Sequence, residues 1–178
     1  MEIVEPSIEE MQARVARYRD LKASKQAFVD TRIPEYERDI YNVIGRGVTE
    51  DASLTAHITD ARYFSITYVG AEPGKGAALH AHETIEVFIP LTGRWAAYWG
   101  KAGDKEIALE PFDVISFPPG VYRGFRNIGD GPAMLMAIIG SKATTEDGGR
   151  VVWAPDVLER SHATGLRVNA EGDLEDSS

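Results

Sequence analysis

The sequence contains no cysteine. Disulfide bonds, thiolate nucleophiles and thiolate metal sites are therefore excluded, and any metal must be bound by His, Asp or Glu. Basic side chains are also few, since 19 Lys and Arg stand against 28 Asp and Glu and give a net charge of -9. This balance argues against nucleic acid and against an anionic membrane surface as partners.

Long apolar runs are missing as well. No stretch approaches the ~20 residues that a transmembrane helix needs, and we expect no membrane contact. The N-terminal MEIVEPSIEEM has no basic region followed by an apolar one, so it is unlike a signal peptide. We therefore expect a cytoplasmic protein, and its 178 residues suit a single domain.

Residues 1–60 are predicted to form an N-terminal helix followed by an extended arm. Ser7 and Glu10 make a capping-box pattern, which is typical of a helix start. Apolar side chains then recur at helical spacing on one face, namely Ile8, Met11, Val15 and Tyr18.

The C-terminal segment, residues 143–178, is predicted to contain a strand, a short helix and an acidic tail. In WAPDVLERSHATG, Pro155 suits the first turn of a helix and Gly165 suits its end. The tail NAEGDLEDSS is polar and acidic, and we expect it to be frayed.

Residues 61–142 have the pattern of an all-β core. Short runs of β-forming residues alternate with Gly and Pro turns every 8–12 residues or so, roughly as in a sandwich or barrel. Val87 and Ile89 oppose Phe88 on one strand, and Met136 opposes Leu135 on another. Strands that are apolar on both faces are covered on both. One short helix covers little of a sheet, so we expect a homodimer.

His80 and His82 raise the question of a metal site. Residues two apart on a strand point to the same face, so both imidazoles can reach one point. Glu86 shares their parity and begins the next β-rich run. Two imidazoles and a carboxylate suit divalent Fe, Mn, Zn or Ni, and the same trio forms the facial triad of non-haem iron oxygenases. A lone H-x-H also occurs by chance on exposed strands, so the flanking residues matter.

Those flanks have a regular spacing. In GKGAALHAHETIEVFIPLTG, five residues separate Gly74 from the H-x-H pair, three separate that pair from Glu86, and six separate Glu86 from Gly93. This stretch resembles the first motif of the cupin family. FDVISFPPGVYRGFRN, further along the chain, resembles the second motif at three positions, which are Pro118, Gly120 and Asn127.

The resemblance covers about residues 60–142 and has structural consequences. It implies a double-stranded β-helix, the jelly-roll barrel of cupins, with the N-terminal helix and the short C-terminal helix outside it. It also implies a divalent metal surrounded by His80, His82 and Glu86, with a histidine of the second motif as fourth ligand.

The second motif departs from the family at two positions. Phe112 replaces its leading glycine, and Arg123 replaces the histidine that would be the fourth ligand. A guanidinium stays protonated and cannot coordinate a metal. The remaining histidines, His57 and His162, are expected at the surface or in packing.

Two interpretations of Arg123 remain open. In the first, the metal is held by the other three residues, and Arg123 binds an anionic group of a substrate. In the second, no metal is bound and Arg123 forms an ion pair with Glu86. Repulsion between a guanidinium and a divalent ion favours the second interpretation. The convergence of two imidazoles on a carboxylate favours the first.

Strand parity predicts further side chains around the site. Phe125 shares the face of Arg123, and Phe88 shares the face of Glu86. In RYFSITYV, either Phe64, Ile66 and Tyr68 point inward, or Tyr63, Ser65, Thr67 and Val69 do. We expect the first set inward because it is the more apolar. Tyr68 would then offer its hydroxyl to a substrate as a catalytic group, or else pack in the core.

The combined expectation is a metal-dependent enzyme, specifically a dioxygenase-like oxidoreductase acting on a small, anionic organic acid or aromatic compound. One alternative is an isomerase, lyase or decarboxylase that uses the metal as a Lewis acid. The other is a metal-free barrel that binds a small molecule without catalysis. The fold cannot choose among them, because one barrel hosts many chemistries.

Overall fold

The computed structural model describes residues 3–141 and 148–177. The strands are β1 (Asp39–Ile44), β2 (Phe64–Ala71), β3 (Gly76–Ala81), β4 (Glu86–Pro90), β5 (Trp95–Trp99), β6 (Lys105–Leu109), β7 (Ile115–Phe117), β8 (Arg123–Asn127), β9 (Ala133–Gly140), β10 (Val152–Trp153), β11 (Leu166–Val168) and β12 (Leu174–Asp176). Two five-stranded antiparallel sheets contain most of them, in the orders β1-β2-β9-β4-β7 and β10-β3-β8-β5-β6. The predicted all-β jelly-roll architecture is confirmed.

The core lies between the inner faces of these two sheets. Phe88 and Leu135 of the first sheet and Trp95 and Phe125 of the second are at most 5% exposed. The ring centroid of Phe125 lies 5.1 Å from that of Phe88 and 5.8 Å from that of Trp95, in edge-on contacts. Burying each of these side chains contributes about 1.5–3 kcal/mol, so this cluster dominates the packing of the barrel.

A glycine turn joins β4 to β5 and so carries the chain from one sheet to the other. Gly93 has a φ of 68°, in the left-handed region that glycine adopts without strain. A Cβ atom at this position would lie 2.4 Å from the Cβ of Ala133. Both constraints explain why the turn needs glycine.

The outer face of the first sheet is apolar and half-buried. Val87 pairs with Ile138 and Ile89 pairs with Met136 across β4 and β9, as expected for strands that are apolar on both faces. Tyr18 packs its ring against the same face. The homodimer that would cover the remainder stays a prediction.

The N-terminal helix is shorter than predicted. The helix α1 (Ile8–Gln12) has five residues, and the capping box between Ser7 and Glu10 is present as expected. Its apolar side chains find no surface to pack on, and Ile8 is 73% exposed. The arm that follows contains three short 3-10 turns at Tyr18–Asp20, Val29–Arg32 and Pro34–Tyr36. Strand β1 also lies within the predicted arm, and the sequence analysis did not place it in a sheet.

The C-terminal segment is more ordered than predicted. The helix α2 (Pro155–Ala163) begins with Pro155 in its first turn and ends just before Gly165, as expected. Residues 169–177 of the acidic tail, in contrast, are not frayed, because β11 and β12 pair as a hairpin. The boundary predicted at residues 142 and 143 lies outside the described residues. Within the described residues, no helix has the length and apolarity needed to cross a membrane.

Candidate metal centre

Three predicted ligands meet between the two sheets. His80 lies near the end of β3, His82 follows that strand, and Glu86 is the first residue of β4. Because β3 and β4 belong to different sheets, the short connection between them brings the carboxylate across to the imidazoles. All three residues are buried, with exposures of 6%, 2% and 3% in that order.

The distances among these residues suit a shared ion. The Oε2 atom of Glu86 lies 3.8 Å from Nε2 of His80 and 3.7 Å from Nε2 of His82. One ligand atom from each of the three can be chosen so that all lie within 4.8 Å of one another. Donors that bind an ion at about 2.0–2.2 Å can be about 4 Å apart, so these three residues fit a divalent metal.

The imidazoles are in the neutral form that metal binding requires. Burial lowers the pKa of His80 well below its usual value, and electrostatic interactions with His82 and Arg123 lower it further. Burial and Arg123 lower the pKa of His82 to about 3. Nδ1 of His80 lies 2.7 Å from the carbonyl oxygen of Ala78. That oxygen only accepts, so Nδ1 carries the proton and Nε2 has its lone pair free.

A β-bulge in β3 makes this tautomer possible. The register between β3 and β8 shifts between Ala77 and His80, which takes the Ala78 peptide out of the regular ladder. Its carbonyl accepts from His80, while its N–H donates to Oδ2 of Asp30 at 3.0 Å. Asp30 is itself fixed by two hydrogen bonds from Arg38, at 2.9 and 3.0 Å. A buried ion pair thus supports the strand segment that orients His80.

Arg123 is paired with Glu86 and does not line the cavity. Its Nε donates to Oε2 of Glu86 at 2.7 Å, and its Nη1 donates to the Val121 carbonyl at 3.1 Å. The Arg123 side chain has no exposed area. Burial raises the pKa of Glu86, whereas the charge and the hydrogen bond of Arg123 oppose that rise. The predicted ion pair is therefore present, while the predicted direct contact between Arg123 and a substrate in the cavity is not supported.

A small cavity of ≈ 40 Å³ opens beside the three residues. Its other polar lining residues are Arg38, Thr49 and Thr67. The apolar part of the lining includes Phe28, Ile40, Val69, Phe125 and Trp153. A single water needs roughly 10–15 Å³ on this scale, so the cavity suits an ion with a few waters or a small organic molecule.

The other predicted lining residues are only partly placed as expected. Phe125 lines the cavity, but Phe88 is a core residue between Phe117 and Phe125 and does not reach it. Phe64 and Tyr68 point to the outer face of the first sheet, so the expected inward set of β2 is wrong. The Tyr68 ring packs near Tyr18 instead and does not line the cavity.

The remaining prediction for this region concerns the two other histidines. His57 and His162 are both exposed, as expected for surface residues. Trp95 is fully buried in the core, and the partly buried Trp99 packs against the same core cluster.

Trp153 is a site residue that the sequence did not reveal. Strand β10 pairs with β3 so that Trp153 is opposite His80, and their ring centroids are 5.4 Å apart. The indole Nε1 donates to Oε1 of Glu50 at 2.8 Å, and the Val29 N–H donates to Oε2 at 2.7 Å. Burial raises the pKa of Glu50 to about 7. Neither Trp153 nor Glu50 belongs to a local motif, so only the fold could identify them.

Residues 67–139 match the family model described as Cupin domain. This chain contains a cupin domain. The match spans the strands that carry the three ligands and Arg123, and it agrees with the motifs found in the sequence. The curated proteins contain no match to this chain.

Solved structures share the fold at low sequence identity. A cupin 2 domain-containing protein from Halorhodospira halophila is 22% identical with a TM-score of 0.50, covering 71% of this chain and 77% of its own. A polyketide cyclase from Streptomyces resistomycificus is 16% identical with a TM-score of 0.50, covering 70% and 76%. An oxalate decarboxylase from Lactobacillus farciminis is 17% identical with a TM-score of 0.54, covering 80% of this chain but 36% of its own. These likenesses show a shared cupin fold and leave the activity open.

Proposed function

We propose that this protein is a metal-dependent cupin enzyme that acts on a small anionic organic compound. The convergence of His80, His82 and Glu86 beside a cavity carries the proposal. The bulge in β3 holds one imidazole in the tautomer that leaves Nε2 free, and burial keeps both imidazoles neutral. Such an arrangement is more than an incidental pair of histidines on a strand.

The ligand set defines the chemistry of the site. Two imidazoles and one carboxylate suit Fe(II), Mn(II), Zn(II) or Ni(II). Three protein donors leave coordination positions open, and a metal bound there supplies Lewis acidity or, with iron, dioxygen chemistry. We propose dioxygenase-type oxidation of a small organic acid or aromatic compound as the specific activity. An isomerase, lyase or decarboxylase is the alternative reaction class.

The surrounding residues have separate roles in this proposal. Arg123 fixes the orientation of the Glu86 carboxylate through the 2.7 Å contact. Its buried charge favours an anion nearby through the electrostatic field, without touching it. Trp153 and Phe125 give the cavity an apolar lining that limits water.

Metal content tests the proposal directly. We expect about one ion per chain, by elemental analysis, in protein purified without a metal-affinity step. His82→Ala should lose the ion, whereas the control variant His57→Ala, which changes an exposed histidine, should keep it. Retention of metal in folded His82→Ala would place the ion elsewhere. Substrate-dependent oxygen uptake then separates the dioxygenase from the alternative reaction classes.

A metal-free binding protein is the second candidate function. The observation in its favour is the buried ion pair between Arg123 and Glu86, which occupies one oxygen of the third ligand. On this account both aerobic and anaerobic preparations contain less than about a tenth of an ion per chain, and added metal does not bind. The same elemental analysis therefore decides between the two functions.

A further inference from the structure

The charged side chains that line the cavity are already matched in pairs. Arg38 lines the cavity and is held by two hydrogen bonds to Asp30, and both side chains are at most 2% exposed. Glu86 lines the cavity and is paired with Arg123. Glu50 lies behind Trp153 and does not line the cavity. The charged side chains that the structure places on the cavity therefore form neutral pairs.

A divalent ion leaves more uncompensated positive charge in this site than in a site whose fourth ligand is a histidine. An imidazole that coordinates a metal is neutral, and the single negative charge of Glu86 is already offset by Arg123, whose Nε lies 2.7 Å from Oε2 of Glu86. Metal binding therefore adds two positive charges that no described lining residue compensates. Uncompensated charge in a buried site is costly, so a counter-charge must enter with the metal.

We propose that this centre takes its metal together with a small dianion, and that each strengthens the binding of the other. This inference rests on the proposed function and specifies its substrate class. The replacement of a neutral imidazole by Arg123 raises the required negative charge of the ligand by one unit. The ≈ 40 Å³ of the cavity favours a compact dianion, such as a short dicarboxylate, over an aromatic ring.

Binding of Mn²⁺ in the presence of two matched anions tests the inference. Malonate and its monoamide have nearly the same shape but differ by one negative charge. We would measure Mn²⁺ affinity by equilibrium dialysis at buffered free metal, which removes the effect of chelation in solution. Malonate should tighten Mn²⁺ binding about tenfold or more beyond the monoamide, and Mn²⁺ should tighten malonate binding by the same factor.

Variants of two arginines on β8 test whether the preference for malonate depends on the buried charge of Arg123 or on any nearby positive charge. Arg123→Gln removes the buried charge, so the preference for malonate over the monoamide should largely disappear. Arg126→Gln removes an exposed charge and should keep that preference. If Arg123→Gln does not fold, the comparison of the two anions on the wild-type protein still decides.

Two results would overturn the inference in distinguishable ways. If Mn²⁺ binds equally well without an anion, or equally well with the monoamide, the dianion requirement is wrong and the metal centre stands. If the folded protein binds no Mn²⁺ with either anion, the proposed metal-dependent function fails and the inference fails with it.

Discussion

Replacing Glu86 by leucine should destabilise the protein strongly, because it leaves Arg123 buried without a counter-charge. The Arg123 side chain has no exposed area, and the 2.7 Å contact with Glu86 is its ion pair. Leucine is similar in size to glutamate but offers no acceptor, so Nε would lose its partner. Removing one member of a buried ion pair costs about 3–5 kcal/mol.

Unfolding by urea and by heat at neutral pH, with chelator present, measures this cost. In a protein of this size, a change of 1 kcal/mol shifts the melting temperature by about 2–4 °C, so Glu86→Leu should melt at least about 6 °C below wild type. The double variant Glu86→Leu with Arg123→Leu removes both charges. It should recover most of the loss, because an apolar pair of similar volume replaces a buried ion pair at little cost.

An exposed ion pair on the same strand provides the control. Arg126 of β8 and Glu106 of β6 lie 2.6 Å apart across β5, and their side chains are 42% and 47% exposed. Such pairs contribute about 0–1 kcal/mol, so Glu106→Leu should change the unfolding free energy little. If Glu86→Leu costs no more than Glu106→Leu, the reasoning about a buried, structurally required pair is refuted.

Three further variants test other parts of the structure. Gly76→Ala should prevent folding or cost more than about 3 kcal/mol, because its Cβ would lie 1.8 Å from the Phe125 carbonyl oxygen. The control Gly131→Ala should fold normally, because a Cβ at that position meets nothing within 4 Å. Circular dichroism distinguishes a folded from an unfolded variant. The pKa of Glu50, about 7, exceeds its unfolded value, so its contribution to stability is present at low pH and lost as pH rises through 7. Wild type should therefore lose roughly 2–3 kcal/mol between about pH 5 and 8 relative to Glu50→Gln, measured by urea unfolding. Met136→Glu should convert the expected homodimer to a monomer in light scattering; a wild-type monomer would contradict that expectation.

Strand parity predicted the metal centre because the relevant signals are local. His80 lies on β3, His82 comes two residues later just past the end of that strand, and Glu86 opens the next strand after a short connection. The side-chain period of a strand then brings all three to the space between the sheets. The family motif added Gly74 and Gly93, which fix the ends of the segment.

The same reasoning predicted the wrong inward face for β2. The more apolar set, Phe64 and Tyr68, lies on the outer face, and the inward set contains Ser65 and Thr67. The interior is polar at this point, since Thr67 and Thr49 donate to the buried Asn42. Apolarity identifies the inner face only where the outer face is polar, and the outer face of β2 is apolar and half-buried.

The predicted length of the N-terminal helix was wrong for a different reason. The capping box at Ser7 and Glu10 is a local interaction and forms as predicted. Continuation of the helix needs a surface for its apolar face, because helices of this length are marginal alone. Met11 and Val15 remain 49% and 42% exposed, so nothing stabilises further turns.

Trp153 gives this protein an intrinsic optical probe of the metal centre. Its indole ring lies 5.4 Å from the His80 ring, and its N–H is fixed on Glu50. A paramagnetic ion bound by His80 should therefore quench the emission of Trp153, and Trp153→Phe should remove that response while Trp95 and Trp99 still emit. Occupancy of the site can thus be followed in real time, without a label and without knowing the substrate.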